Sequence, residues 1–306
     1  MKKIVAIIGP TGIGKSSLAV CIAQKISGEI ISADSRQLYR FMDIGTAKPM
    51  KEELLLVPHH LIDIINPDEE FSIAEYQQKC QAIIDDITAR RKIPMLVGGS
   101  GQYVWAVLEG WIIPKVTPDM EYRKILEKKA VENGKDELYH ELESIDPEAA
   151  SRISRANVRR IIRALEIAKN YSEGKSSITK KQIDDALIIG LTTSRNELYR
   201  RIDLRVDSMI KAGLVDEVRG LVKKGYSLDL PSMSGIGYRQ IGAFLKGEIS
   251  MESAIQQIKF ETHRFVRSQY NWFKLKDDRI KWFDIRENIE PCIISLIDDF
   301  MGQNQR

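Results

Sequence analysis

"GPTGIGKS", residues 9–16, decides the fold, because it stands between the apolar run Ile4-Val5-Ala6-Ile7-Ile8 and a helical pattern. The octapeptide matches G-x-x-x-x-G-K-[ST], in which small residues let successive backbone N–H groups converge on phosphate oxygens. The positive end of the following helix backs them. On this reading Gly9, Pro10, Thr11, Gly12, Ile13, Gly14, Lys15 and Ser16 form a phosphate cradle. Lys15 reaches the outer phosphate, and the Ser16 hydroxyl ligates Mg²⁺. The cradle alone admits a nucleotide or another diphosphate.

Working outward, "KIVAIIG" (3–9), "EIISAD" (29–34), "HHLIDII" (59–65) and "IPMLVGG" (93–99) read as buried strands. They are near-continuous in Val, Ile and Leu, as a parallel sheet requires. "ALIIGLTTS" (186–194) and "RIKWFDI" (279–285) continue the set. A helix begins at Ser16 or Ser17, and another at Ser72, where Ser72 and Glu75 fit a capping box. Ile73, Tyr76, Cys80, Ile83, Ile84 and Ile87 give the latter an apolar face. Between Thr117 and about Asp185 strand candidates vanish, and polar helices are expected at 119–132, 137–143 and 155–170. The expected architecture is α/β: a P-loop NTPase-like parallel sheet flanked by helices, with a helical insertion domain. Residues 1–116 and 186–306 form the core with its C-terminal helices, and residues 117–185 form the insertion.

Composition narrows the class. Hydrophobic residues at 43% and charged residues at 29% suit an ordinary globular protein. No apolar run approaches the ~20 residues of a membrane helix. Met1-Lys2-Lys3 and the apolar run behind them resemble the start of a leader, but Gly9-Pro10 breaks the run early, so a buried first strand is expected instead. Cys21, Cys80 and Cys292 are far apart and odd in number, which suggests neither a disulfide framework nor structural zinc. His59, His60, His140 and His263 read as structural, and a reduced cytoplasmic setting is expected. Residues 151–205 hold 13 Lys/Arg against 6 Asp/Glu, an excess of seven. With a whole-chain net charge of +3, the remainder sums to −4. A basic block in a slightly acidic chain suits a polyanion such as nucleic acid, or is simply a solvated helical face.

"ISADSRQLYRFMDIGTAKP" (31–49) is the second informative stretch. Asp34 ends the second strand, at the carboxyl edge of the sheet beside the cradle. A carboxylate there serves as a general base, as a partner of Mg²⁺, or as a cap for the next segment. Ser35, Arg36 and Gln37 follow, with side chains suited to base edges or phosphates.

Taken in order, GPTGIGKS, ISADSRQLYRFMDIGTAKP, PHHLIDI, LVGGSGQY and GIGYRQ closely resemble the tRNA dimethylallyltransferase family, also called tRNA isopentenyltransferases. The resemblance runs from Ile4 to about Phe273. It implies that the cradle holds the diphosphate of dimethylallyl diphosphate, with Mg²⁺, and that the prenyl group moves to the exocyclic amine of the adenosine 3′ of the tRNA anticodon. It also implies roles. Asp34 matches the general base, Arg205 of "RIDLRVDSMI" a diphosphate-contacting arginine, and Ser100 of "LVGGSGQY" a position where the family usually has Thr. Arg123 and, in "RRIIR", Arg159, Arg160 and Arg163 match tRNA-contacting positions, as do Gly237, Tyr238 and Arg239 of "SGIGYRQ". The family often has Gln in place of Arg159. Partners implied are tRNA, through its anticodon stem-loop, and the prenyl donor, acting on a monomer. The rival reading is a P-loop kinase using ATP on a small molecule or nucleic-acid end.

Overall fold

The computed structural model describes residues 2–113, 116, 119–170, 179–180 and 185–302. In chain order the first elements are β1 (Lys3–Ile8), α1 (Lys15–Ile26), β2 (Gly28–Ala33), α2 (Lys51–Leu56), β3 (His59–His60), α3 (Ile73–Ala89), β4 (Ile93–Gly98) and α4 (Gly101–Leu108). Then come β5 (Trp111–Ile112), α5 (Met120–Glu132), α6 (Lys135–Ile145), α7 (Pro147–Arg152), α8 (Val158–Asn170) and β6 (Thr179–Lys180). Last are β7 (Asp185–Thr192), α9 (Arg195–Lys211), α10 (Leu214–Lys223), α11 (Tyr238–Leu245), α12 (Met251–Trp272), β8 (Ile280–Asp284) and α13 (Glu290–Gly302). The chain divides into two compact units, Met1–Leu108 with Gln182–Arg306, and Glu109–Lys181.

The first unit is built on a six-stranded sheet ordered β3-β2-β4-β1-β7-β8, with every pairing parallel. All six residues of β1 and of β2 are buried, so helices cover both faces, as the expected runs of Val and Ile require. In α3 the Ser72 hydroxyl accepts from the Glu75 N–H while the Glu75 carboxylate accepts from the Ser72 N–H. That box starts the helix where the sequence places it, and Tyr76, Cys80, Ile84 and Ile87 form its buried face. The third expected strand shrinks to His59–His60, because Leu61 (φ 60°) and Asp63 (φ 57°) are left-handed and end the ladder. None of the described helices is long and apolar enough to cross a membrane.

The second unit has its own core of Leu126, Leu138, Leu142, Ile161, Ile162 and Leu165. It begins earlier than residue 117 because β5 pairs antiparallel with β6, Trp111 opposite Lys180. Helix α7 is an addition to the expected set: Asp146 caps the Ala149 N–H at 2.8 Å and Pro147 occupies the first turn. The Glu166 side chain is fully buried and accepts from the Asp119 N–H (2.6 Å), from Arg123 Nη2 (2.9 Å) and from Arg163. Burial alone would raise this carboxyl, but the two guanidiniums and the amide outweigh it and hold its pKa below the usual range. A depressed pKa contributes stability that is present at neutral pH and lost on acidification through the folded value. Glu166→Ala leaves two guanidiniums without their carboxylate and should destabilise this unit by about 3 kcal/mol. Hydrogen exchange of residues 120–170 reads the loss; unaltered protection would show the cluster to be incidental.

Candidate active site

Parallel pairing sends the carboxyl ends of β1, β2 and β4 to one edge, where their following loops surround a cavity of about 320 Å³. Thr11, Gly12, Gly14, Lys15 and Ser16 line it from the β1–α1 turn, Asp34 and Gln37 from the β2 turn, and Val97 and Gly98 from β4. Thr46, Ala47, Lys48, Pro49, Met50 and Glu53 add another wall, and Arg205 of α9 completes it.

The cradle is shaped by its glycines. Gly9 has φ 145°, and a Cβ there would lie 2.6 Å from the Leu191 carbonyl oxygen, so only glycine lets β1 turn out beside β7. Gly14 takes φ 101° at the N-cap of α1, and no side chain caps that end. The unsatisfied first-turn N–H groups and the positive end of the helix therefore face an unblocked cavity. Gly9, Pro10 and Ile13 contribute backbone only: Ile13 is 1% exposed in the core, and the Pro10 carbonyl accepts from Lys15 Nζ at 2.9 Å.

Electrostatics favour an anion. Lys15, Lys48 and Arg205 line the cavity against Asp34 and Glu53. The Lys15 ammonium is buried although its residue keeps partial exposure, and desolvation pulls its pKa down to about 7; Asp34 opposes the shift and Arg205 adds to it. Burial also lowers Arg205, against the charge of Asp34. Two poorly hydrated cations beside an open helix N-terminus are a receptor awaiting negative charge. One Asp34 oxygen accepts from the Arg36 N–H at 2.9 Å, so the residue caps its own turn. Its Oδ2 receives no hydrogen bond among the described residues.

Several other expected site residues also make contacts within the fold. The Ser100 hydroxyl accepts from the Ser35 N–H at 3.0 Å, tying the β4 edge to the β2 turn, and Ser100 is not part of the cavity lining. Arg36 donates to the carbonyls of Pro231 and Ser232, both at 3.1 Å, which fixes that loop. Gln37 bonds Ser32 Oγ and the carbonyls of Thr46 and Ala47. Tyr238, expected to face RNA, is 2% exposed, with its hydroxyl on Glu217 at 2.6 Å. Gly237 (φ 96°) opens α11, and exposed Arg239 lies 3.9 Å from Glu261. In the second unit Arg123 and Arg163 are committed to Glu166, whereas Arg159 and Arg160 are exposed and make no side-chain ion pair among the described residues.

Three contributors escape sequence reading. Glu217 accepts from the N–H groups of Asp43 (2.9 Å), Ile44 (2.7 Å) and Gly45 (3.1 Å), immediately before the Thr46–Met50 wall. Gln269 bonds both the cradle and Gly99. Lys48, with its side chain 5% exposed, ties Asp43 and Asp63 together. Only "MDIGTAKP", a stretch with Gly and Pro and no periodicity, hints at a functional loop. Mg²⁺ prefers substrate phosphates, water and few protein ligands, and the Ser16 hydroxyl beside a phosphate cradle fits that donor set.

Residues 37–276 match the family model described as IPP transferase. The chain is 50% identical over 276 residues to a tRNA dimethylallyltransferase of Roseiflexus castenholzii, covering 90% of each. It is 45% identical over 301 residues to one of Dehalococcoides mccartyi, covering 98% of this chain and 93% of that one. Among solved structures, the full-length tRNA isopentenylpyrophosphate transferase of Bacillus halodurans superposes with TM-score 0.71 at 39% identity, covering 99% and 96% of the two chains. A eukaryotic dimethylallyltransferase described as acting on tRNA gives TM-score 0.81 at 26% identity, covering 99% and 80%. These matches do not favour the kinase alternative.

Binding an anion should return Lys15 to its charged form, so at pH 8 association takes up close to one proton, given a starting pKa of about 7. Calorimetry of pyrophosphate binding in buffers of different ionisation heat should show this uptake in wild type. Lys15→Met should lack it; equal uptake in both would remove Lys15 from the anion site.

Proposed function

The chain belongs to the IPP transferase family, and from that premise we propose that its cavity transfers a dimethylallyl group from dimethylallyl diphosphate to tRNA. The acceptor is the exocyclic amine of the adenosine 3′ of the anticodon. One observation carries the reading: the uncapped N-terminus of α1, Lys15 and Arg205 share a single cavity with Asp34. Cations hold a leaving group, and a carboxylate takes a proton.

An exocyclic adenine amine is a weak nucleophile, since its lone pair is delocalised into the ring. The amine nitrogen attacks the first carbon of the prenyl group, the carbon–oxygen bond to the diphosphate breaks, and the amine proton passes to Asp34. The free Oδ2 suits that role, because Oδ1 is engaged with the Arg36 N–H. Charge accumulates on the departing diphosphate, where the first-turn N–H groups of α1, Lys15 and Arg205 stabilise it. The Ser16 hydroxyl would help hold Mg²⁺, which when bound would neutralise further charge on the diphosphate.

The acceptor adenosine must leave its stack in the anticodon loop, at a cost of a few kcal/mol that contacts elsewhere offset. Arg159 and Arg160 of the second unit supply such contacts to the RNA backbone. The unpaired thiols of Cys21, Cys80 and Cys292 support a cytoplasmic setting.

Asp34→Asn keeps a carbonyl oxygen for the Arg36 N–H but cannot accept the proton. Single-turnover transfer to unmodified tRNA should slow by about a hundredfold, with tRNA affinity intact. An unchanged rate would assign the proton elsewhere. Arg160→Ala should lower the slope of log affinity against log salt by about one phosphate contact. An unaltered slope would take Arg160 out of the interface.

A further inference from the structure

We propose that Gln269 is a positioning residue that clamps the phosphate cradle to the carboxyl edge of β4, so setting the leaving diphosphate against the proton acceptor. The inference rests on the transfer reading above and adds a residue to it.

Gln269 lies on α12, is 3% exposed, and stands 258 positions from the cradle it touches. Its Oε1 accepts from the Thr11 N–H at 2.9 Å. Its Nε2 donates to the Gly99 carbonyl at 2.9 Å and reaches Thr11 Oγ1 at 3.4 Å. A Cβ at Gly99 would lie 2.5 Å from that nitrogen, so the carboxamide rests directly on the β4 edge. From Gly99 the connection continues through Ser100, whose hydroxyl receives the Ser35 N–H, to Asp34 next in the chain. One side chain thus joins the wall that binds the leaving group to the wall that takes the proton.

The two loops make opposite demands. Thr11 presents an N–H needing an acceptor, and Gly99 presents a carbonyl needing a donor. A carboxamide answers both from one planar group and stays neutral. A carboxylate cannot donate to Gly99, a hydrocarbon leaves both groups unsatisfied, and Asn is one methylene too short. The Thr11 N–H, being committed to Gln269, is not among the donors to phosphate, so the working cradle starts at Gly12. The amine must hand its proton to Asp34 as the carbon–oxygen bond breaks, so the two walls must keep a fixed separation, and a misplacement of ~1 Å costs about a hundredfold in rate. A clamp between the two walls is where that tolerance is held.

The test is single-turnover transfer from labelled dimethylallyl diphosphate to unmodified tRNA, with tRNA affinity measured in parallel. Gln269→Leu should slow transfer about a hundredfold at saturating donor while changing tRNA affinity less than twofold. In an Asp34→Asn background the same substitution should cost less than about fivefold, since the alignment it disturbs serves the proton acceptor. If Gln269→Leu does not fold, Gln269→Glu decides: it keeps an acceptor for Thr11, loses the donor to Gly99 and adds a carboxyl facing the Gly99 carbonyl. Transfer should then fall about tenfold or more. Transfer within threefold of wild type in the variant that folds, or a full additive loss on top of Asp34→Asn, overturns the proposal. A wild-type protein that makes no prenylated tRNA would instead overturn the functional reading.

Discussion

Parallel pairing of β1 with β4 on one side and β7 on the other is the constraint on which the rest depends. Ile7 sits between Val97 and Ile189 in that ladder. A parallel ladder closes only through crossover connections, so its strands point the same way and release their chains at one edge. The turn after Ile8, the turn after Ala33 and the turn after Gly98 therefore emerge side by side, although nearly a hundred residues separate the first from the last. Burial enforces the arrangement. A strand apolar along its whole length is stable only when both faces are covered, and that covering needs the helices the crossovers supply.

The loops at that edge lack a ladder of their own, and their polar groups take partners from helices far along the chain. Glu217 of α10 gathers three consecutive N–H groups from residues 43–45, and Gln269 of α12 holds Thr11 and Gly99. Arg36 reaches the 231–234 turn in return. Such bonds matter because the Phe41–Ala47 loop is strained: Phe41 (φ 66°) and Ala47 (φ 45°) are non-glycine residues in the left-handed region, costing about 1–2 kcal/mol each. A conformation of that kind persists only when its surroundings over-determine it. The carboxylate of Glu217 and the buried Tyr238 hydroxyl on it supply that restraint.

What the sequence made legible follows from range. Strands β1, β2, β4 and β7 announce themselves because near-continuous apolar runs have few other uses in a chain of this kind, and the Ser72–Glu75 box is a contact between near neighbours. The cradle is legible for the same reason: glycines, lysine and serine act within eight residues. "HHLIDII" misleads because hydropathy is blind to the left-handed turns at Leu61 and Asp63. The burial of Tyr238 is not legible, because an aromatic beside Arg239 suits RNA as well as a core, and only the packing against Gly45 places its ring inside. Gln269 and Glu217 are illegible in principle, since nothing local distinguishes a polar helix residue that faces solvent from one that faces a distant backbone.

Charge counting needs the same correction. The block from 151 to 205 is basic by composition, yet Arg163 is bound to Glu166, and Arg200 and Arg201 to Glu197. Those last two guanidiniums hold the Glu197 carboxyl down to about 2, so it stays ionised across the physiological range. The excess of seven already counts Glu166 and Glu197, but Arg152 and Lys169 pair with Glu148 and Asp119 outside the block, which leaves less positive charge for a polyanion, with Arg159 and Arg160 on α8 within what remains. Exposed guanidiniums attract phosphate regardless of sequence, so they fix register along an RNA backbone without identifying a base. For the proposed transfer to one adenosine, identity has to be read where the base reacts. That places the burden on the cavity, whose loops are tied in place by Glu217 and Gln269.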